Sequence, residues 1–132
     1  MKTYRLALIG FGSVGRGLVQ ILEERGTALA QQCGAQLQVV AVATQRHGSV
    51  YHAAGLQPAA LLATAGTQLS TLAADHHNWD AARIITAGNA DIIVECSPTD
   101  LQTGEPATGY IQAALRSGRH VVTANKGPVA LH

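Results

Sequence analysis

Four short runs of this chain are almost wholly apolar: residues 4–10, 37–43, 91–96 and 120–124. Each is rich in Val, Ile, Leu or Ala and shows little alternation, the pattern of strands buried on both faces of a sheet. A weaker run at 70–72 is a candidate fifth strand. Between these runs the apolar spacing switches to that of helices. Val14, Leu18, Ile21 and Leu22 share one face of a helix over residues 13–31. Pro58 suits the start of a short Ala- and Leu-rich helix over 59–65. Residues 79–87 read as a third helix, stopped by Gly88. Pro106 opens a fourth, with Ala107, Tyr110, Ile111, Ala114 and Leu115 as its apolar stripe and Gly118 at its end. A further helix begins at Pro128.

Strands alternating with helices predict an α/β fold, a doubly wound parallel sheet with right-handed crossovers. Ligands of such sheets bind beyond the carboxyl ends of the strands. Three segments lie there: 10–15, 44–48 and 97–100. Asn125 and Lys126 follow the last strand on the same edge.

Composition narrows the function classes. The 132 residues are 47% hydrophobic and 13% charged, with 14 glycines and a net charge of +1. That balance predicts one compact domain with no broad basic field for nucleic acid or an anionic membrane. No apolar run approaches the roughly 20 residues that span a bilayer, and the first strand begins too early for a signal peptide, so a cytoplasmic protein is expected. Cys33 and Cys96 suit neither a disulfide framework nor a metal site. Cys96 reads as a small buried hydrophobe, with a nucleophile as the alternative.

The first apolar run passes directly into Gly10-Phe11-Gly12-Ser13-Val14-Gly15. A G-x-G-x-x-G that leaves a strand and opens a helix assigns a physical task to each glycine. Gly10 permits the tight turn, Gly12 lets a pyrophosphate approach the backbone, and Gly15 lets the helix pack closely on the strand. The free N–H groups and the positive end of the helix then face the phosphates. This is the signature of a Rossmann-type nucleotide-binding domain over residues 1–132, with an ordinary glycine-rich turn as its bland alternative.

Other residues refine the chemistry. Lys126 is one of only two lysines. A lysine can lose its proton when desolvated, and one near a nicotinamide could polarise or protonate a carbonyl; a solvated loop lysine is the competing reading. The second strand ends Thr44-Gln45-Arg46-His47, without the carboxylate that commonly reads the ribose of NAD. Arg46 could instead pair with the 2′-phosphate of NADP, which favours NADP over NAD, unless it is only a loop arginine. Ser97, in Ser97-Pro98-Thr99-Asp100, could touch the nicotinamide ribose or merely form a turn. Asp91 and Glu95 read as serving solubility or local pairing, and Glu105 as favouring a helix N-terminus. His76 and His77 suggest a solvated loop, and no metal site is expected. His47 and His52 are weak candidates for the adenosine pocket, and His120 reads as a strand-start residue.

Taken together, Gly10 to Gly17, the strand ending at Thr44, Ser97-Pro98-Thr99-Asp100-Leu101 with Thr103-Gly104-Glu105-Pro106, and above all His120-Val121-Val122-Thr123-Ala124-Asn125-Lys126-Gly127-Pro128-Val129-Ala130 resemble homoserine dehydrogenase. The resemblance covers essentially the whole chain but only that family's nucleotide-binding domain. It implies an enzyme interconverting L-aspartate 4-semialdehyde and L-homoserine with NAD(P)H, on the route to threonine, methionine and isoleucine. It maps a catalytic lysine onto Lys126, glycine-loop contacts onto Phe11, Ser13 and Val14, and the 2′-phosphate arginine onto Arg46, with Gln45 where many members carry Arg. Ser97 stands where many have Thr. The substrate-binding carboxylates, a second catalytic lysine and the main dimer interface belong to a later domain. The chain is therefore expected to bind cofactor without turnover and to meet its small-molecule substrate and form a homo-oligomer only as part of a longer protein. Competing readings are an aspartate dehydrogenase or dihydrodipicolinate reductase relative, a stand-alone NAD(P)-sensing module, and a fold with no nucleotide.

Overall fold

The computed structural model describes residues 1–64, 68–98 and 100–125. The predicted helix at Pro128, Lys126, Thr99 and the end of the predicted 59–65 helix lie outside them. Strands β1 (Lys2–Ile9), β2 (Ala35–Ala43), β3 (Ser49–Tyr51), β4 (Ile92–Glu95) and β5 (His120–Thr123) form one sheet in the order β3-β2-β1-β4-β5. β2, β1, β4 and β5 pair in parallel, whereas β3 runs antiparallel to β2 at the edge. The helices are α1 (Ser13–Cys33), α2 (Pro58–Ala63), α3 (Ala81–Ala87) and α4 (Ala107–Arg116). The result is the Rossmann-like α/β sheet that the alternation predicts.

Alternate residues of β1 feed two cores. Leu6 and Leu8 pack with Val19, Leu22 and Leu61 under α1 and α2. Ala7 and Ile9 face the other way, toward Ile84, Ile85 and Ala114 of α3 and α4. The pairing register of β1 with β2 shifts between Leu6 and Ala7. Val40 and Ala41, adjacent in sequence, consequently both join the second core, as a bulge requires.

Several expectations are corrected. β3 was not anticipated, because three residues carry no readable period. The 70–72 run is no strand but part of a 3₁₀ turn over Leu69–Thr71, driven by burial of Leu69. The buried face of α1 is Gly15, Val19, Leu22 and Ala30, leaving Val14 56% and Ile21 48% exposed. Of the predicted stripe, Leu22 is buried and Leu18 packs partly buried against the core, so the buried face is rotated toward Gly15 and Val19 and the expectation fails at Val14 and Ile21. Leu115 is likewise exposed, while Ala107 and Ala114 are fully buried. α3 starts at Ala81 rather than at 79, because the Asp80 carboxylate accepts from the Arg83 N–H at 2.8 Å and caps the helix. Among the described residues no helix is long and apolar enough to cross a membrane.

Candidate functional site

The carboxyl ends of the strands border a cleft of about 1100 Å³. Its floor is the β1–α1 turn. Gly10 has φ +101°, and its N–H donates to the Ala43 carbonyl at 2.7 Å. A Cβ here would stand 2.5 Å from the Cys96 carbonyl oxygen, so both conformation and packing exclude any larger residue. Gly15 is equally confined, its notional Cβ 2.9 Å from the Gly10 oxygen. Gly12 is the opposite case. It is exposed, and a Cβ there would meet nothing within 4 Å. It is also the N-cap of α1, with no side-chain cap and no acidic residue in the first turn. An open backbone surface at an uncapped, positively polarised helix end fits a dinucleotide pyrophosphate.

One wall is the 44–48 loop. The Thr44 hydroxyl donates to the Gly48 carbonyl at 2.7 Å and accepts from the His47 N–H at 2.8 Å. Thr44 thus shapes the loop with its side chain, and Gln45, Arg46 and His47 are left exposed at the rim. The next wall was invisible in the sequence. His77, Asn78, Trp79 and Asp80 line the cleft. Trp79 stacks on His76 at 4.2 Å and on Tyr51 at 4.8 Å, with the Arg83 guanidinium 4.9 Å from its ring. His76 also exchanges backbone hydrogen bonds with Tyr51 at 2.9 and 3.1 Å, which corrects its reading as part of a solvated loop. His52 pairs with Asp75 at 3.2 Å and does not line the cleft. The Ala53 N–H, and then His52, hold the Asp75 carboxyl below the usual value.

Beyond β1 lie Cys96, Ser97 and Pro98. Burial, and then the adjacent Glu95 carboxylate, pushes the Cys96 thiol up to about 11. Its Sγ donates to the Gly10 carbonyl at 3.3 Å. A thiol so protonated is a packing residue rather than a nucleophile. Glu95 is the main correction. It is fully buried, not a solubilising carboxylate. It accepts from the Ser97 N–H at 2.9 Å, the Ser97 hydroxyl, the Thr123 hydroxyl at 3.3 Å and the Asn125 amide. Its bonds to Ser97, two residues on, are the local pairing expected of it, whereas Asp91 accepts from the Arg5 N–H on the neighbouring strand at 2.8 Å.

Of the candidate site residues, the fold gathers Gly10, Phe11, Gly12, Thr44, Arg46 and Ser97 around this cleft. Ser13 and Val14 sit on the exposed first turn of α1, Gly15 is buried beneath it, and Lys126 lies outside the described residues. Glu95 and Trp79 were missed, and Asn125 was placed on this edge without a role, because their roles depend on partners distant in sequence.

Residues 10–132 match the family described as homoserine dehydrogenase, NAD binding domain. A protein of Pseudomonas canavaninivorans called NAD(+)-dependent homoserine dehydrogenase is 40% identical over 134 residues, which cover all of this chain. A homoserine dehydrogenase of Methanocaldococcus jannaschii is 30% identical over 96% of the chain. The chain spans 38% of the length of each. A hyperthermophilic archaeal homoserine dehydrogenase solved in complex with NADPH shares the fold, with TM-score 0.76 and 24% identity over 98% of this chain and 38% of its own. With its glycine turn, uncapped helix and strand-edge cleft, this chain belongs to the homoserine dehydrogenase NAD-binding domain family.

Proposed function

We propose that this chain is the coenzyme-holding part of a homoserine dehydrogenase and that it selects NADP(H) over NAD(H). The observation that carries the selection is the rim at the end of β2. There Gln45, Arg46 and His47 are exposed on the cleft, and residues 44–48 include no carboxylate. A ribose 2′-phosphate would meet a guanidinium there rather than a like charge. Pyrophosphate would lie over Gly10, Gly12 and the first turn of α1 at Ser13 and Val14, and Ser97 would border the nicotinamide ribose. A second reading, NAD, is favoured by the name of the Pseudomonas canavaninivorans relative.

When bound, a nicotinamide dinucleotide supplies the hydride exchange. The chain's own part is to bind, orient and manage a proton. Lys126, mapped by family resemblance, is assigned to stabilise or protonate the alkoxide oxygen that forms as an aldehyde is reduced. The reaction assigned to the whole enzyme is interconversion of L-aspartate 4-semialdehyde and L-homoserine, in threonine and methionine biosynthesis. We further assign it to the cytoplasm and to a homo-oligomer. The substrate-binding carboxylates belong to a separate domain, so residues 1–132 alone bind coenzyme without turnover.

Calorimetric titration of the chain with NADP⁺ and NAD⁺ at fixed salt tests the selection. NADP⁺ is expected to bind more tightly, and Arg46→Ala should weaken NADP⁺ alone, by about tenfold. A preference for NAD⁺ removes Arg46 from the site and leaves the fold assignment intact.

A further inference from the structure

The buried carboxylate of Glu95 has no part in the coenzyme contacts assigned above, yet it ties together two segments at the cleft. Ser97 is held from the same strand end, through both its N–H and its hydroxyl. Thr123 and Asn125 are held across β5. The Asn125 amide also donates to the Ser97 carbonyl at 2.9 Å, and the Asn125 N–H donates to the Thr123 hydroxyl at 3.1 Å. The main chain reinforces the tie, since the Ala124 N–H donates to the Glu95 carbonyl at 3.0 Å. Parallel pairing aligns Glu95 with Thr123 but dictates nothing beyond the strand ends. Beyond them, the loops take their positions from this side-chain network.

The strand order locates the network. The chain runs outward from β1 to β2 on one side and resumes at β4 on the other. A dinucleotide on such a sheet spans this switch point. With the adenosine end at the β2 rim, its other end lies over β4 and β5. We infer that Glu95 is a positioning residue for the nicotinamide half of the coenzyme, setting Ser97 and Asn125 through its hydrogen bonds without itself touching the ligand. The inference rests on the coenzyme reading and deepens it. A buried network of this kind locks its members when each donor is matched to an acceptor. In Glu95→Gln an amide NH₂ replaces one acceptor and confronts a donor, which disturbs the two loops. Among the described residues no hydrogen bond joins that carboxylate to the glycine turn or the 44–48 loop.

The experiment separates the two halves of the ligand. NADPH and NADH are titrated against Glu95→Gln and the unchanged chain by calorimetry and by the emission of the reduced nicotinamide. Each is paired with an analogue that ends at the pyrophosphate and so lacks the whole nicotinamide riboside, 2′-phospho-ADP or ADP. Glu95→Gln is expected to weaken the whole dinucleotide about tenfold and to alter its bound emission. The truncated analogue should change by less than about twofold. Thr123→Val, which keeps the shape and removes the hydroxyl's bond to Glu95 together with its acceptance from the Asn125 N–H, should give the same split at smaller amplitude and guards against a variant that fails to fold. Equal weakening of both ligands by the two variants, or no weakening of either, overturns the positioning role. So does an unchanged chain that binds the analogue but leaves the nicotinamide emission unperturbed. If the unchanged chain binds neither ligand, the coenzyme reading falls first and this inference with it.

Discussion

The carbonyl oxygen of Gly10 lies only 2.9 Å from the point where a Cβ on Gly15 would stand. This contact sets the rotation of α1. The helix must turn Gly15 toward the end of β1, which brings Val19 and Leu22 into the core and carries Val14 and Ile21 outward. Apolar periodicity alone placed Val14 and Ile21 on the buried face beside Leu18 and Leu22. A steric constraint of one glycine overrode the more hydrophobic stripe.

Gly12 and Gly15 therefore separate experimentally. Gly15→Ala forces a Cβ against backbone, an overpacking of about 1–3 kcal/mol, offset in part by alanine's helix preference of about 1 kcal/mol. A net loss of up to about 2 kcal/mol is expected in urea unfolding. At Gly12 the Cβ meets open space, and a poorer N-cap is balanced by a less flexible unfolded chain. Stability should stay within about 0.5 kcal/mol, while calorimetry shows weaker dinucleotide binding. A large stability loss in Gly12→Ala would remove the case for the glycine facing a ligand.

Arg119 joins α4 and β5 to the far side of the second core. Its guanidinium donates to the Gly88 carbonyl at 2.7 Å and also to the carbonyls of Ile85 and Ala90. Arg119→Ala leaves these oxygens, at the C-terminal end of α3, without their charged donor. Charge-assisted bonds contribute about 1.5–3 kcal/mol each and do not add, so a loss of about 2–3 kcal/mol is expected by chemical denaturation. Arg119→Lys should recover only part of it, since one ammonium cannot reproduce the planar fork.

The parts of the fold legible in the sequence were those that local pattern specifies. β1, β2 and β4 are apolar runs because helices cover the middle of the sheet on both faces, whereas β5, at the edge, departs from the doubly buried strand expected there, with Val122 57% exposed. The glycine turn announced itself by spacing. β3 is a three-residue strand that exists through pairing with β2 and support from the 76–79 segment, neither of which is local. Glu95 looked like any carboxylate at a strand end, because Thr123 and Asn125 lie 28 and 30 residues away. The cleft wall at Trp79 escaped for the same reason, since Tyr51 makes it a wall from 28 positions upstream.

The two cysteines should differ in reactivity. Cys33 is exposed, whereas Cys96 is partly buried with its thiol pushed up to about 11 from an ordinary 9.0. Iodoacetamide near neutral pH should label Cys33 and spare Cys96, as read by peptide mass spectrometry. A folded-state value above the unfolded one means that the native chain keeps this proton longer. The associated stability is present below pH 9 and is lost as pH climbs toward about 11. Cys96→Ala should flatten that part of the stability profile. Rapid labelling of Cys96 at neutral pH would contradict the burial.

Trp79 is the only tryptophan in the chain, and it lines the cleft. Stacking on His76 and Tyr51 fixes the ring, so its emission should report on whatever enters beside it. Reduced nicotinamide absorbs where indole emits and oxidised nicotinamide does not. Titration with NADPH should therefore quench Trp79 by energy transfer, and NADP⁺ should produce a smaller change at the same occupancy. Trp79→Phe keeps an aromatic ring in the stack and removes the signal, with affinity expected to hold within about twofold. Saturation by calorimetry with no change in emission for either form would mean that the dinucleotide does not lie in this cleft.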